Sequence, residues 1–195
     1  RDIPLARLIR FIANPAQFFL ENRLGIRLEP LIAPLEEREP FDATGLAAYT
    51  LTSEILETIL QGEAVEPLLA GVQSRGLLPP ARHGELLFAR LVADARSVAQ
   101  KVVGAVGAAG PLPHLDAAVD LDGFKVHGRL NRIWPDRLLR YRCAKLKAKD
   151  QLKAWVEHLV LNAVQGEGYP CCTMLIMSDK AVLFEPVAAA AEILQ

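Results

Sequence analysis

The sequence predicts a mixed α/β fold, an α+β arrangement in which helices precede and flank a mixed sheet. In residues 1–110 the apolar side chains recur at intervals of three and four, which is typical of amphipathic helices. In residues 111–195 short alternating runs are separated by turn residues and interrupted by one helical stretch. We therefore predict a helical region over residues 1–110 leading into an α/β core over residues 111–195, the two forming one compact unit.

The first two helices are indicated by their spacing and by their ends. Leucines and isoleucines in residues 5–12 repeat at helical spacing. Asn14 and Pro15 then begin a second helix, with the Asn side chain as N-cap and Pro in the first turn. Residues 18–20 are expected to face inward, and Gly25 stands where a C-terminal cap is expected.

Two longer helices are predicted in the rest of the helical region. Residues 26–41 are rich in prolines and acids and are expected to form a connector. A helical pattern covers residues 46–60, with Thr52 or Ser53 available as its cap. A second helical pattern covers residues 85–106, after a break at two consecutive prolines.

Three strands open the predicted core. Residues 117–121 and 124–130 are apolar or alternating, and Asp122-Gly123 between them is a strong hairpin signal. Residues 137–143 alternate again. The three strands are therefore expected to form a meander.

One helix and two further strands follow the predicted meander. Asp150 is expected to cap a helix over residues 150–163. The apolar residues expected on its buried side are Leu152, Val156 and Leu159. Strands over residues 172–177 and 181–184 flank a short turn, and a last helix is expected from Pro186.

Composition excludes several classes of protein. With 51% hydrophobic and 23% charged residues, the chain is too apolar for a disordered protein. No apolar run reaches the roughly 18 residues that cross a bilayer, so no membrane partner is expected. Cys171 and Cys172 are adjacent and only one other cysteine is present, which favours a reducing cytoplasm over a disulfide framework. The start at Arg1 and the end at Gln195, within a helical pattern, predict a segment of a longer protein.

Positive charge is concentrated in one stretch although the net charge is −1. Between Arg129 and Lys153 there are nine lysines and arginines, opposed only by Asp136 and Asp150. Such asymmetry favours a surface that meets an anion, either nucleic acid or an acidic partner. A solvated edge neutralised by acids from elsewhere in the fold is the alternative.

Neither a cofactor nor a metal is predicted from the residues. The glycines near a helix end lack the preceding strand and the Gly-Lys-Ser/Thr of a phosphate-binding loop: Gly104, Gly107 and Gly110. The acids that suit Mg²⁺ are better explained as strand and turn residues: Asp116, Asp120 and Asp122. The four histidines are scattered without the spacing of a zinc site, and Cys143, in a predicted strand, is expected to be a buried, unreactive thiol.

Three segments together resemble the motif of the PD-(D/E)XK nucleases of the RecB type. They are Gly128-Arg129-Leu130-Asn131, Leu139-Arg140-Tyr141-Arg142 and Gln151-Leu152-Lys153-Ala154-Trp155. In that family two carboxylates on neighbouring strands hold Mg²⁺, and a Lys two residues after the second shares its strand face and orients the attacking water. The resemblance implies a mixed sheet of the restriction-endonuclease type, flanked by helices.

The same resemblance implies that the chemistry has been lost. Asn131 stands at the first Asp position, Arg140 at the second, and Arg142 replaces the Lys, while Gln151 and Trp155 keep the helix motif. Arg140 places a permanent positive charge where the metal belongs. No catalytic residue and no metal ligand is therefore expected in this domain.

Further segments resemble the C-terminal domain of the RecC family, the gamma subunit of exodeoxyribonuclease V. They include Asn14-Pro15-Ala16, Leu24-Gly25, Glu39-Pro40-Phe41, Gly76-Leu77-Leu78-Pro79 and Phe184-Glu185-Pro186. The resemblance implies a non-catalytic subunit of an ATP-dependent helicase-nuclease complex that acts in double-strand break repair. The implied partners are the helicase-nuclease beta subunit, the helicase alpha subunit and DNA.

Two alternatives are kept beside this interpretation. An active nuclease would need a relocated carboxylate, with Asp120 or Glu157 as candidates. An AddB-type subunit would need four spaced cysteine ligands for an iron–sulfur cluster, which three cysteines do not supply. The residues predicted to contact DNA or a partner are Arg140, Arg142, Lys145, Lys147 and Lys149. The two arginines share one strand face, whereas the lysines follow in an extended surface segment.

Overall fold

The mixed α/β class is confirmed by a computed structural model that describes residues 1–27, 45–164 and 166–195. The predicted connector over residues 26–41 and the Glu39-Pro40-Phe41 segment lie largely or wholly outside the described residues. The helices of the first 110 residues are α1 Leu5–Ala13, α2 Pro15–Arg23, α3 Gly45–Leu60, α4 Glu66–Ser74 and α5 Ala81–Val106. Among the described residues, no helix is both long and apolar enough to cross a membrane.

Local signals placed the first two helices correctly. The Asn14 side chain accepts a hydrogen bond from the backbone N–H of Gln17 at 3.1 Å, and Pro15 begins α2. Gly25, which follows the C-cap residue Leu24, has φ +67°, the left-handed conformation that is common just beyond a helix end. The expected inward orientation of residues 18–20 is wrong for Phe19, which is 54% exposed because α2 packs mainly against α1 and buries no residue fully.

The predicted cap of α3 is wrong. Thr52 and Ser53 lie inside α3, and their hydroxyls donate to the carbonyls of Ala48 and Tyr49 at 2.7 and 2.8 Å. This bonding to the preceding turn satisfies a hydroxyl within a helix. The sequence analysis also missed α4, and α5 begins at Ala81 rather than Glu85. As predicted, α5 ends among small residues, at Gly107 with φ +60°.

The first sheet has three strands in the order β1-β3-β2. Its strands are β1 Asp2–Pro4, β2 Leu115–Leu121 and β3 Phe124–Leu130. β2 and β3 form the predicted antiparallel hairpin around Gly123, whose φ is +78°. β1, which the sequence did not predict, pairs parallel with β3. A Cβ at Gly128 would lie 2.5 Å from the Leu5 Cβ, so the absence of a side chain there lets α1 lie on this sheet.

The second sheet has four strands in the order β4-β5-β6-β7. Its strands are β4 Ile133–Trp134, β5 Arg137–Tyr141, β6 Thr173–Ile176 and β7 Ala181–Phe184. The predicted meander is therefore wrong, because β5 pairs with β4 and β6 in a second sheet instead of with β3. The break lies at Arg132, where φ of +61° turns the chain out of the β3 direction. A parallel crossover through α6, Ala148–Val164, joins β5 to β6.

Helices pack on both faces of the second sheet. Leu139 and Ile176 face α3 and α5, in a cluster with Leu51, Ile55 and Val98. Leu138 faces the opposite side and clusters with Val156 and other residues of α6. A last short helix, α7 Ala190–Leu194, begins later than the predicted Pro186 and packs on α6.

Two predictions for α6 are wrong. The helix begins at Ala148, so Asp150 lies in its first turn instead of capping it, and Asp150 is buried. Leu152 is 44% exposed, whereas Val156 and Leu159 are each 3% exposed as predicted. The buried side of α6 instead includes Ala154, Val160 and Leu161, because the helix is covered by both sheets and by α7.

Candidate functional site

The candidate site is a cleft between β5 and α6. Side chains alternate along β5, so Leu138 and Arg140 share the α6 side with Arg142 just beyond the strand end. Leu139 and Tyr141 point to the opposite side. The cleft has a volume of about 370 Å³. Its charged lining residues are Arg132, Arg140, Arg142, Asp150, Lys153 and Glu157.

Arg140 is held by α6 and by the backbone. Its Nε donates to Glu157 Oε2 at 2.6 Å and its Nη2 to Oε1 at 3.1 Å, a bidentate pair. Its Nη1 donates to the carbonyls of Asn131 and Leu139 at 2.7 and 2.9 Å. Both side chains of the ion pair are 19% exposed. The guanidinium at the second motif position is thus enclosed by oxygen acceptors.

Arg142 is held by a second pair at the other end of the cleft. Its Nη1 donates to Asp150 Oδ1, and Asp150 is only 4% exposed. Its Nε donates to the Tyr49 hydroxyl at 2.9 Å, and its guanidinium carbon lies 4.9 Å from the centre of that ring. Burial opposes the charge, but the bonds to Tyr49 and Asp150 outweigh it and raise the pKa of Arg142. This arginine therefore links α3, β5 and α6.

Arg132, which lies between β3 and β4, lines the edge of the cleft. Its Nη2 lies 2.6 Å from Glu57 Oε1, and its guanidinium carbon stands 4.3 Å from the centre of the Tyr141 ring. The Tyr141 hydroxyl donates to Glu57 Oε2 at 3.4 Å. Burial raises the pKa of Tyr141, and the neighbouring Arg132 charge offsets part of that effect. The phenol is thus kept protonated as a donor.

The remaining motif residues do not converge on the cleft. Asn131 is exposed and contributes its backbone carbonyl, while Gln151 is exposed in the first turns of α6. The Trp155 ring stacks on His158 at 5.3 Å and packs against Phe184 at 5.7 Å, away from the cleft lining. The structure therefore brings together Arg140 and Arg142 but not Gln151 or Trp155.

His158 forms a buried polar network beneath Trp155. Its Nε2 lies 2.9 Å from the Glu185 carbonyl, which only accepts, so Nε2 carries the proton and donates. Its Nδ1 then accepts from the Thr173 hydroxyl at 2.9 Å. Burial lowers the pKa of His158, partly offset by the bond to Glu185. The neutral ring ties α6 to β6 and to the segment after β7.

The three lysines lie on the surface as predicted. Lys145 and Lys147 precede α6 and Lys149 lies in its first turn, and all three are exposed. They line a groove of about 630 Å³ that also contains Tyr49 and Arg142. Within residues 1–27, 45–164 and 166–195, no carboxylate lies within ion-pair distance of these three amines. Asp94 and Asp150 also line this groove, and its four cationic side chains outnumber these two acids.

Cys143 was expected to be a buried, unreactive thiol in a strand. It lies just beyond β5 and is partly buried. Burial, reinforced by the nearby Asp94, raises the pKa of its thiol to about 11. The thiol therefore stays protonated at neutral pH, as expected of an unreactive cysteine.

The donors of the cleft do not fit the Mg²⁺ that the nuclease motif implies. Mg²⁺ requires oxygen ligands in near-ideal octahedral geometry and is usually bound through one or two carboxylates that are free to coordinate it. Glu157 is engaged by a guanidinium, Asp150 by another, and Asn131 presents only a carbonyl to the cleft. In the described part of the chain, no three His, Cys, Asp or Glu side chains are grouped as a metal site.

Acids of a neighbouring helix are plausible partners for Arg140 and Arg142 from the sequence, but the individual acids and aromatics that hold them were not identified from it. Asp150 and Glu157 are seven residues apart, two turns on one helix face, as Arg140 and Arg142 are two apart on one strand face. That matched spacing was a usable signal for the paired contacts. Tyr49 and Glu57 come from α3, and no local signal connects them to β5.

The comparisons with known proteins agree on one family. A family model described as the RecC C-terminal domain matches residues 1–195. The chain is 28% identical over 187 residues to the RecBCD enzyme subunit RecC of Escherichia coli, covering 96% of this chain and 16% of that protein. It is 27% identical over 180 residues to the RecC subunit of Mycobacterium tuberculosis strain H37Rv, with 92% and 16% covered. It is 21% identical over 192 residues to the RecC subunit of Haemophilus influenzae, covering 95% of this chain and 17% of that protein. The chain spans about a sixth of the length of these relatives.

Proposed function

The chain belongs to the RecC C-terminal domain family, and from that premise we propose that it is a non-catalytic, nuclease-like domain. It serves a RecBCD-type helicase-nuclease complex in double-strand break repair by docking subunits and engaging DNA. Its partners are the helicase-nuclease subunit, the second helicase and DNA, in the cytoplasm. The observation that carries the proposal is the pairing of Arg140 with Glu157 and of Arg142 with Asp150.

The element order supports descent from a PD-(D/E)XK nuclease. A hairpin, a strand, a helix and a parallel strand follow one another, and the motif positions fall at the end of β3, on β5 and on α6. We treat residues 1–110 and 111–195 as one unit, since β1 pairs with β3 and α3 packs on β5 and β6. The nuclease frame is thus used as a scaffold.

The charges of the cleft support the proposed absence of catalysis. Two guanidiniums stand where a nuclease has a carboxylate and a lysine, and each is neutralised by one acid. Of the candidates for a relocated carboxylate, Glu157 bonds Arg140, and Asp120 lies on β2 opposite Lys125 in the other sheet. Neither arrangement leaves two carboxylates facing one metal position.

The three lysines are the proposed DNA contact. The charges of Arg140 and Arg142 are neutralised by ion pairs with Glu157 and Asp150, whereas the three lysines are exposed beside an open groove. Neutralising DNA phosphates releases counterions, so each contact adds roughly 0.7–0.9 units to the log–log slope of affinity against salt.

The test is salt-titrated DNA binding by the assembled complex carrying Lys145→Glu, Lys147→Glu and Lys149→Glu together. We expect a slope that is shallower by about two to three units. The matched control reverses three exposed cations elsewhere, Arg23, Arg82 and Lys125, and changes the net charge equally. Wild-type affinity and slope in the lysine variant would overturn the DNA contact, and an equal loss in the control would assign the effect to net charge.

A further inference from the structure

The surroundings of Arg140 have the composition of a cation site. The guanidinium makes four hydrogen bonds, two to the Glu157 carboxylate and one each to the carbonyls of Asn131 and Leu139. These acceptors come from three elements: α6, the break after β3, and β5. We call this set of oxygens the Arg140 cradle.

The charge of the cradle matches a single monovalent cation. Glu157 supplies one negative charge, and both carbonyls are neutral. Nε and Nη2 of the planar guanidinium bind the two carboxylate oxygens of Glu157, while Nη1 donates to both carbonyls. A divalent ion in this cradle would keep one uncompensated positive charge beside the single carboxylate of Glu157.

We propose that the Arg140 guanidinium is a tethered replacement for the metal ion of the ancestral site, held by a cradle that binds guanidinium ions in its own right. That a metal ion once occupied this position rests on the proposed nuclease ancestry. The cradle itself rests on its four hydrogen bonds.

The position of the cradle gives it a mechanical role. Asn131 directly follows β3 of the first sheet, Leu139 lies in the second sheet, and Glu157 lies on α6, which contacts strands of both. The cation thus joins the two sheets at the strained Arg132 break, as a bound metal would join the elements that supply its ligands. Arg75–Glu54 is an ordinary surface pair by comparison, with side chains 50% and 38% exposed and no carbonyl partner for its Nη nitrogens among the contacts described.

The test is chemical rescue of Arg140→Gly in the full chain. We expect a lower melting temperature in the variant and a rise of about 3–6 °C with 10 mM methylguanidinium, if the vacated cradle binds it with a Kd near ~1 mM. Wild type should not respond, and neither should Arg75→Ala, the matched variant of an exposed pair. Adding Glu157→Gln to Arg140→Gly should abolish the rescue.

Three results would overturn the cradle: no shift with methylguanidinium, an equal shift with 10 mM ammonium, or an equal shift in Arg75→Ala. If Arg140→Gly does not accumulate as folded protein, refolding yield from urea becomes the readout. A yield restored by methylguanidinium and not by sodium chloride supports the proposal, and equal yields overturn it.

A separate variant distinguishes the cradle from the ancestry. Arg140→Asp restores the acid that the nuclease motif has at its second position, on the side of β5 that faces Glu157. Calorimetric Mn²⁺ binding by this variant, absent from Arg140→Gly, supports the nuclease ancestry. Methylguanidinium rescue of Arg140→Gly without Mn²⁺ binding by Arg140→Asp overturns the ancestry and leaves the cradle standing.

Discussion

Replacing Asp150 with alanine tests whether the arginine pairs hold the domain together. Asp150 is 4% exposed, and its carboxylate accepts from Arg142, whose side chain is 36% exposed. The variant leaves the guanidinium of Arg142 half-buried, with the Tyr49 hydroxyl as a remaining partner. The positive charge of Arg142 is then left without a carboxylate partner, and an uncompensated charge of this kind strongly destabilises a folded protein.

The expected loss is about 3 kcal/mol in the free energy of unfolding. Removing one partner of a buried pair costs roughly 3–5 kcal/mol, and the partial exposure of Arg142 places this case at the lower end. For a domain of this size, that loss lowers the melting temperature by roughly 6–12 °C.

Urea denaturation and thermal melting of Asp150→Ala measure this loss directly. Glu54→Ala is the control, because it breaks the exposed pair with Arg75 and should cost at most about 1 kcal/mol. The double variant Asp150→Ala with Arg142→Met should recover part of the loss, since no charge is then left unpaired. Equal, small losses in Asp150→Ala and Glu54→Ala would refute the structural role of the cleft pairs.

Two further predictions concern α6. Leu159→Ala should cost about 2–5 kcal/mol by urea denaturation, and Leu152→Ala less than about 1 kcal/mol, because Leu159 is 3% and Leu152 44% exposed. A large loss at Leu152 would contradict the observed orientation of the helix. Burial lowers the pKa of His158, so the folded state favours the neutral ring. The contribution of the neutral ring to stability is therefore fully present above pH 6.5, the usual histidine value, and is lost as the pH falls toward the lowered pKa. His158→Gln should flatten this decline in urea titrations between about pH 7 and pH 5, while the exposed His127→Gln should keep the wild-type slope.

The sequence by itself determined the elements that depend on near neighbours. The hairpin at Gly123, the start of α2 at Asn14 and the strand Ala181–Phe184 were predicted correctly, because turn conformation, capping and alternation are local properties. Arg140 and Arg142 were also correctly expected on one side of the extended chain, although β5 ends at Tyr141, because side-chain direction alternates with period two.

Only the tertiary structure decided which elements meet. The chain leaves the first sheet at Arg132, which has a positive φ. Arginine rarely adopts this conformation, so the residue type does not predict the turn. The pairing of β1 with β3 joins residues far apart in the chain, and the exposure of Leu152 follows from which face of α6 the two sheets cover. Tyr49 and Glu57 reach the arginines from α3. Such contacts depend on packing between residues far apart in the sequence, and the spacing of residues within one element does not predict them.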